Sequence, residues 1–495
     1  MAQIIAIDAG TTGVRSLLID ESTSVVDVSY REHAQHYPSP GWVEHDAQEI
    51  WRNIAATLVD VASRRDHSIP LAAIGITNQR ETVVAWDRAT GEVLSPALVW
   101  QDKRTTDRCD NLRQAGHLEK VRHATGLVLD PYFSATKMNW LLESGRLDHA
   151  RQLALGTVDS WVIWNLTGGT EGGSFVTDAS NASRTLLYDL HSRSWSQHLC
   201  DLFGVPLGAL ADIKPSCGRF GTVSSLALEE LRGTPVSGVL GDQQAALFGQ
   251  ACFAPGMVKA TYGTGAFVLA TTGPDVPVAP DGLLSTVAWD LGDHGGLTYA
   301  LEGSAFVAGA AIQWLRDELG IITAAADVED LARQAETSDG LRFIPAFVGL
   351  GSPWWDDSAR GSLIGITRGS GRAQLARAVV DSLAFEVRAI TDAMSSAAGQ
   401  PLTRLRADGG AAAMNLLLAH QADQSRVLVE RPTSLESTAL GAATIAGLAE
   451  GVFSSLDDLA THWSPSASFV PVEDAAADLA YQGWLDALER SKNWV

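Results

Sequence analysis

The chain has 495 residues, 46% of them hydrophobic and 19% charged, and its 58 acidic against 36 basic side chains give a formal net charge of −22. That length exceeds what one core usually organises and points to two or more domains, while the charge repels nucleic-acid phosphates and anionic membranes, so neither is an expected partner. No apolar run approaches the roughly 18 residues of a membrane span. The four cysteines, Cys109, Cys200, Cys217 and Cys252, follow no C-x-x-C spacing and read as free thiols of a reducing cytoplasm. Met1 leads straight into the first predicted strand, without the pattern of a signal peptide.

Strands are predicted over residues 4–8, 14–20 and 25–31. Between the first two, Asp8-Ala9-Gly10-Thr11-Thr12-Gly13 forms a glycine- and threonine-rich turn. Glycine lets the backbone turn tightly against a ligand, and turn N–H groups with threonine hydroxyls supply the convergent donors that a polyphosphate takes. Asp8 adds a carboxylate suited to holding Mg²⁺ through its waters. Taken alone, such a turn reads equally well as an ordinary hairpin. A helix is predicted over 47–64 behind Asp46 as N-cap, then a buried strand over 72–77 running into Asn78-Gln79-Arg80-Glu81, and a strand over 82–87. A helix begins within 157–165. An apolar strand over 236–240 leads through Gly241-Asp242-Gln243-Gln244 into a helix over 245–250.

The second half restarts with strand–turn–strand over 257–270, its turn being Gly263-Thr264-Gly265. Recurrence of this loop at the head of both halves favours phosphate binding from two sides of one cleft, and no G-x-x-x-x-G-K-[ST] loop or post-strand G-x-G-x-x-G competes with it. Helices are predicted over 303–319, 328–334 and 370–397. A strand over 405–407 ends at Asp408-Gly409-Gly410, before a small-residue helix over 411–423 and an Ala/Gly-rich one over 438–450. The pattern predicts an α/β protein of two related domains, 1–250 and 251–495, packed around one cleft.

Four features carry candidate chemistry, and each keeps two readings. Asp242 ends a strand, where carboxylates face ligand crevices, or else caps the helix that follows. Arg80-Glu81 places a donor fork beside an acceptor that could clamp neighbouring hydroxyls of a polyol, or else forms a surface salt bridge. Asp408-Gly409-Gly410 offers bare backbone for an adenosine, or serves a tight turn. Trp100, Tyr132 and Phe267 supply either an aromatic wall or core. The residues alone thus describe an enzyme using Mg-nucleotide and a small hydroxylated substrate.

Seven stretches in register identify a resemblance over essentially the whole chain. They are Asp8-Ala9-Gly10-Thr11-Thr12, Pro40-Gly41-Trp42-Val43-Glu44-His45-Asp46, the run from Gly75 to Thr82, Val99-Trp100-Gln101-Asp102, Asp130-Pro131-Tyr132-Phe133-Ser134, the run from Thr177 to Thr185, and that from Gly241 to Gln250. Together they resemble the FGGY family of carbohydrate kinases. The resemblance implies an actin-like fold, two ribonuclease H-like domains flanking a nucleotide cleft, and ATP-dependent phosphorylation of glycerol to sn-glycerol 3-phosphate. It implies that Arg80, Glu81, Tyr132, Asp242 and Gln243 contact the glycerol hydroxyls, with Asp242 as catalytic base, and that Trp100 and Phe267 cover the carbon backbone. By the same resemblance Thr11, Thr12, Gly13, Arg15 and Thr264 meet the phosphates of ATP, Gly309, Gln313 and Gly410 line the rest of the nucleotide pocket, and Asp8 holds Mg²⁺.

Two departures from the family pattern stand out. Met414 occupies a position where the family commonly has Asn against the adenosine, which implies altered nucleotide affinity with Met packing on the purine. The stretch Arg232-Gly233-Thr234-Pro235 lacks the Arg of a loop that binds fructose 1,6-bisphosphate in some members, so inhibition by that sugar phosphate is not expected. The resemblance also implies a dimer or tetramer. Alternative readings are a kinase for another short polyol or ketose, such as erythritol or dihydroxyacetone, and a non-catalytic nucleotide- or glycerol-binding regulator. The intact Arg80-Glu81, Trp100, Tyr132 and Phe267 set favours the small triol, and retention of Asp8 and Asp242 favours catalysis.

Overall fold

The computed structural model describes residues 2–472 and 475–494; Met1 and the ends of the two predicted domains at 1 and 495 lie outside the described residues. Two sheets are built on one plan. In the first, β1 (Gln3–Ala9), β2 (Gly13–Asp20) and β3 (Val25–Glu32) form an antiparallel meander. After α1 (Ala47–Arg64), β4 (Leu71–Asn78) joins β1 in parallel. β5 (Cys217–Thr222) and β6 (Pro235–Gly241) complete the order β5-β6-β4-β1-β2-β3, and β6 runs straight into α2 (Asp242–Gly249). The N-cap Asp46 accepts the Gln48 N–H at 2.8 Å, as the sequence predicts.

The second sheet repeats this core. β7 (Met257–Tyr262), β8 (Ala266–Gly273), β9 (Leu284–Asp290) and β10 (Leu297–Ala305) pair antiparallel. α3 (Gly309–Asp317) and α4 (Arg372–Ala398) follow, then β11 (Arg404–Asp408), parallel to β7, α5 (Asn415–Ser425), β12 (Leu428–Pro432), α6 (Ser437–Ala449) and β13 (Pro465–Phe469), giving β9-β10-β8-β7-β11-β12-β13. In both halves antiparallel strands at the head of the unit, three in the first and four in the second, thus feed two parallel strands, the duplication that the repeated loop announced.

Several predicted boundaries move. The helix expected over 303–319 starts at Gly309, because the residues up to Ala305 continue a central strand. The helix expected at 245 starts at Asp242, with Gly241 as its cap, so Asp242 is a helical residue and not the N-cap. The small-residue helix splits into a 3₁₀ turn (Gly410–Ala413) and α5, with extended backbone at Met414 between them. The predicted strand after Glu81, observed as Val83–Asp87, leaves the main sheet and joins a separate four-stranded one with Glu44–His45, Ala97–Leu98 and Leu153–Thr157.

Strand periodicity divides the first core cleanly. Ile5 and Ile7 face α1, whereas Ile4, Ala6, Leu17 and Ile19 face α2 and α6. Although α6 belongs to the second half of the chain, it packs on β1, β4 and β6, so α2 and α6 lie between the two sheets. Glycines permit this approach. A Cβ on Gly75 would lie 1.9 Å from the Ala442 carbonyl oxygen, and one on Gly441 would lie 1.9 Å from that of Ala245. For an exposed helix interior, Gly→Ala would gain up to about 1 kcal/mol of helix propensity. At Gly441 the overlap is with backbone, which cannot rotate away. Gly441→Ala is therefore expected to destabilise by about 1–3 kcal/mol, read as a lower denaturation midpoint in urea.

Candidate active site

The chain turns sharply where β4 ends. Glu81 adopts the left-handed region at φ 60°, uncommon for a residue with a Cβ. The turn is held by the Thr82 N–H donating to the Arg80 carbonyl at 2.7 Å and by Ser134 Oγ donating to the Glu81 carbonyl at 3.0 Å. The strained turn aims two successive charged side chains into the protein, and both are buried.

Arg80 is fully engaged. Nη1 donates to Glu302 Oε2 at 2.7 Å and Gln244 Oε1 at 3.2 Å; Nη2 donates to Glu302 Oε1 at 3.0 Å and the Tyr132 hydroxyl at 3.3 Å. Nε faces Asp242 Oδ1 at 3.2 Å. Arg184, wholly buried, donates from Nε to Glu81 at 2.7 Å and from Nη2 to Glu302 at 3.0 Å. Register explains how the second half presents Glu302: Lys259 on β7 lies opposite Leu269 on β8, and Leu269 opposite Glu302 on β10. Opposed residues of antiparallel strands share a face, so Lys259, Phe267 and Glu302 project from one side of that sheet. Lys259 Nζ donates to Gln243 Oε1 at 2.6 Å.

The cluster pairs three cationic side chains, Arg80, Arg184 and Lys259, with the carboxylates Glu81, Asp242 and Glu302. Burial pushes the Asp242 carboxyl up to about 6, with Arg80 opposing the shift and Glu81 reinforcing it. About a third of its side chain, 32%, remains open to the cleft. Burial pushes Lys259 down to about 8. Burial acts upward on Glu302 too, but the two arginines outweigh it and hold the carboxylate down at about 2. The result is a partly open carboxylate titrating near neutrality beside a buried guanidinium, the pattern of a general base. Trp100 meets Tyr132 edge-to-face with centroids 5.6 Å apart and walls the same space.

The predicted acceptor residues Arg80, Glu81, Tyr132, Asp242, Gln243 and Trp100 are thus connected by direct contacts, and Phe267 projects from the same sheet face as Glu302. Arg80-Glu81 is not a surface ion pair. Glu302, Arg184, Lys259 and Gln244 complete the cluster and were not singled out by the sequence reading. Their signal was a lone charge inside an apolar strand for Glu302 and Lys259.

At the first loop, Thr12 is exposed and Gly13 is pressed against β3, where a Cβ would lie 2.6 Å from the Arg31 carbonyl oxygen. Arg15 lies opposite Asp8 across the hairpin and bridges Asp8 Oδ2 at 2.6 Å and Glu436 Oε2 at 2.7 Å, just before α6. At the second loop, the Ala308 and Ala310 N–H groups donate to the Thr264 carbonyl, and the Gly309 N–H to that of Gly263 at 2.8 Å. The Gly309 amide therefore braces the loop, leaving the exposed Thr264 hydroxyl available. Gly409, at φ 87°, lies against the Tyr262 backbone, which brings the 409–410 turn beside the same loop; Gly410 borders open space. Gln313 is exposed on α3. Met414 is 6% exposed within the apolar core of the second half, so little of it is left for a purine.

One Asp8 oxygen is bound by Arg15, and among the described residues the other has no hydrogen-bond partner. Among the described residues no three His, Cys, Asp or Glu side chains gather as a metal cage. A single carboxylate beside a phosphate loop suits Mg²⁺, which keeps most of its waters and takes the remaining ligands from phosphates. No helix among the described residues is long and apolar enough to cross a membrane.

The chain matches the N-terminal domain of the FGGY family of carbohydrate kinases over residues 3–249 and the C-terminal domain over 258–450. It is 48% identical to the glycerol kinase of Halorhodospira halophila over 501 residues, covering 99% of this chain and 97% of that one. With the glycerol kinase of Aromatoleum aromaticum it shares 47% over 503 residues, covering both chains completely. Among solved structures, Plasmodium falciparum glycerol kinase with ADP superposes with a TM-score of 0.94 at 34% identity, covering 99% of this chain and 98% of that one. A xylulose kinase from Lactobacillus acidophilus superposes with a TM-score of 0.89 at 20% identity and 99% and 98% coverage, a likeness of fold.

Glu302→Ala leaves two buried guanidinium groups without their shared counter-charge. It is expected to cost about 3–5 kcal/mol, measured as a fall in unfolding free energy, and to lower turnover with it.

Proposed function

The chain belongs to the FGGY family of carbohydrate kinases, and we propose that it transfers the γ-phosphoryl group of ATP to a terminal hydroxyl of glycerol, giving sn-glycerol 3-phosphate. The observation that carries this reading is the acceptor cluster. It combines a partly open carboxylate titrating near 6, a saturated arginine beside it and an aromatic wall of Trp100 and Tyr132. Similarity over full length to chains named glycerol kinase supports the acceptor, and the ADP-bound relative supports the nucleotide.

In this reading Asp242 accepts the proton of the attacking hydroxyl as the new O–P bond forms and the bond to ADP breaks. Arg80, Glu81, Tyr132 and Gln243 hold the acceptor hydroxyls; the 3.3 Å Arg80–Tyr132 contact is the longest of the arginine's four hydrogen bonds and the easiest for a hydroxyl to replace. Trp100 and Phe267 cover the carbon chain. Thr11, Thr12, Gly13, Arg15 and Thr264 meet the phosphates, while Gly309, Gln313 and Gly410 border the rest of the nucleotide and the buried Met414 packs behind them. Asp8 would hold Mg²⁺, which would supply neutralisation of phosphate charge when bound. Phosphoryl transfer asks mainly for such positioning and charge neutralisation. We also propose a domain boundary near residue 250, a dimer or tetramer, and the cytoplasm as its compartment, in keeping with four buried free cysteines.

ADP release with Mg-ATP should be stimulated most by glycerol, less by dihydroxyacetone, erythritol and xylulose; greater stimulation by another acceptor would move the substrate, and none by any acceptor would sink the reading. Asp242→Asn is expected to lower kcat by about 10²–10⁴-fold. Because Asp242 works only as the carboxylate, wild-type kcat should fall as pH drops through about 6 and level off above it, checked by a pH–rate profile.

A further inference from the structure

The phosphate loop is gripped from behind by side chains that do not face the cleft. Four successive carbonyls, those of Ala9, Gly10, Thr11 and Thr12, all point back into the protein. The Ala9 carbonyl accepts the Gln79 N–H at 2.8 Å, and the Gly10 carbonyl accepts Gln79 Nε2 at 3.1 Å. The Thr11 carbonyl accepts both His33 Nε2 and Gln35 Nε2 at 2.8 Å, and the Thr12 carbonyl accepts the His33 N–H at 3.3 Å. In a planar trans peptide the N–H points opposite to the carbonyl before it. Pinning the Gly10 and Thr11 carbonyls inward therefore turns the Thr11 and Thr12 N–H groups outward. Among the described residues neither has a protein acceptor.

These groups also bond one another along two paths, both running from a Trp100 donor to a Thr11 acceptor. The Trp100 N–H donates to Thr82 Oγ1 at 3.2 Å, and that hydroxyl donates to Gln79 Oε1 at 2.9 Å. Gln79 Nε2 lies 3.3 Å from His45 Nδ1, and His45 Nε2 lies 2.7 Å from Gln35 Oε1. Gln35 Nε2 reaches the Thr11 carbonyl, and the Trp100 indole N–H closes the ring on Thr11 Oγ1 at 3.0 Å. An amide NH₂ only donates and an amide oxygen only accepts, so His45 is fixed as the neutral Nε2–H tautomer, accepting at Nδ1. Burial, with His33 and His36 nearby, agrees by pushing its imidazolium down to about 3.

We propose that His45 is a positioning residue. Acting through Gln35 and Gln79, it aims the Thr11 and Thr12 amides at the nucleotide phosphates and ties that loop to the acceptor wall at Trp100. This rests on the kinase reading for its catalytic consequence, but not for its effect on nucleotide binding. Glutamine at 45 offers one acceptor and one donor and can keep the circuit; leucine fills similar volume and keeps neither bond. Gln35 is only half-buried, so Gln35→Met breaks the circuit with little threat to folding.

The experiment measures Mg-ADP affinity by calorimetry, kcat and KM for ATP and glycerol, and the melting temperature for wild type, His45→Leu, His45→Gln and Gln35→Met. Expected for His45→Leu and Gln35→Met are a loss of Mg-ADP affinity of roughly 10-fold or more and a fall in kcat of roughly 10–100-fold, with the glycerol KM within about three-fold of wild type. His45→Gln should recover most of both. Wild-type affinity and kcat in His45→Leu would overturn the proposal. So would a His45→Gln no better than His45→Leu, since the position would then matter only for packing. A wild-type chain that ignores glycerol would instead sink the functional reading while leaving the calorimetric comparison to decide this one.

Discussion

Glu302 is the carboxylate on which the two halves agree. It belongs to the second sheet, yet both its oxygens lie on arginines of the first half, Arg80 on two bonds and Arg184 on one. Buried ion pairs gain little net stability over apolar packing, because desolvation cancels most of the attraction, but they are costly to break. The value of this one is therefore geometric. A one-residue slip of β10 would turn Glu302 to the opposite face of its sheet and leave two buried guanidinium groups facing none of it. Only one juxtaposition of the halves satisfies the cluster, and that juxtaposition places Lys259 and Phe267 beside Asp242's end of the first half.

The packing between the sheets serves the same end. α2 begins with Asp242 itself, so the carboxylate's position is set by how α2 is seated. Its neighbour α6 comes from the far end of the chain, and Glu436, immediately before α6, reaches Arg15 near the start of β2. Bare glycine contacts at Gly75, Gly249 and Gly441 let these backbones approach closely, with no flexible side chains between them to blur the register. Asp242, the first glycine–threonine turn and the second sheet are thereby all tied to the layer formed by α2 and α6.

Much of this was legible in the residues. The repeated strand–turn–strand, the capped helix at 47–64 and the strand-end positions of Arg80 and Asp242 follow from periodicity and turn chemistry acting locally. What escaped was non-local. Residues 303–305 read as the start of a helix because nothing nearby shows that β8 pairs with them in a sheet. The helical identity of Asp242 was hidden because an aspartate at a strand end serves as cap or ligand group with equal ease. Glu302 and Lys259 looked like isolated charges until the register set them on one face. The surface reading of Arg80-Glu81 failed for the same reason, since partners 222 positions away leave no trace in a dipeptide.

The charge balance raises a last physical point. A protein at −22 presents a repulsive field to a nucleotide triphosphate, yet the acceptor cluster pairs three cations with three carboxylates and contributes no compensating attraction. At physiological ionic strength the general repulsion is screened over about 8 Å, so recognition falls to groups within a few ångströms of the phosphates. On the proposed reading, the hydroxyls of Thr12 and Thr264 and the outward Thr11 and Thr12 amides would be such groups, acting as fixed dipoles. A fixed dipole is only as good as its aim. On that reading, carbonyls held from behind by Gln79, His33 and Gln35 matter in a site with so little net positive charge, and a neutral acceptor, indifferent to the field, would need only the neutral cluster.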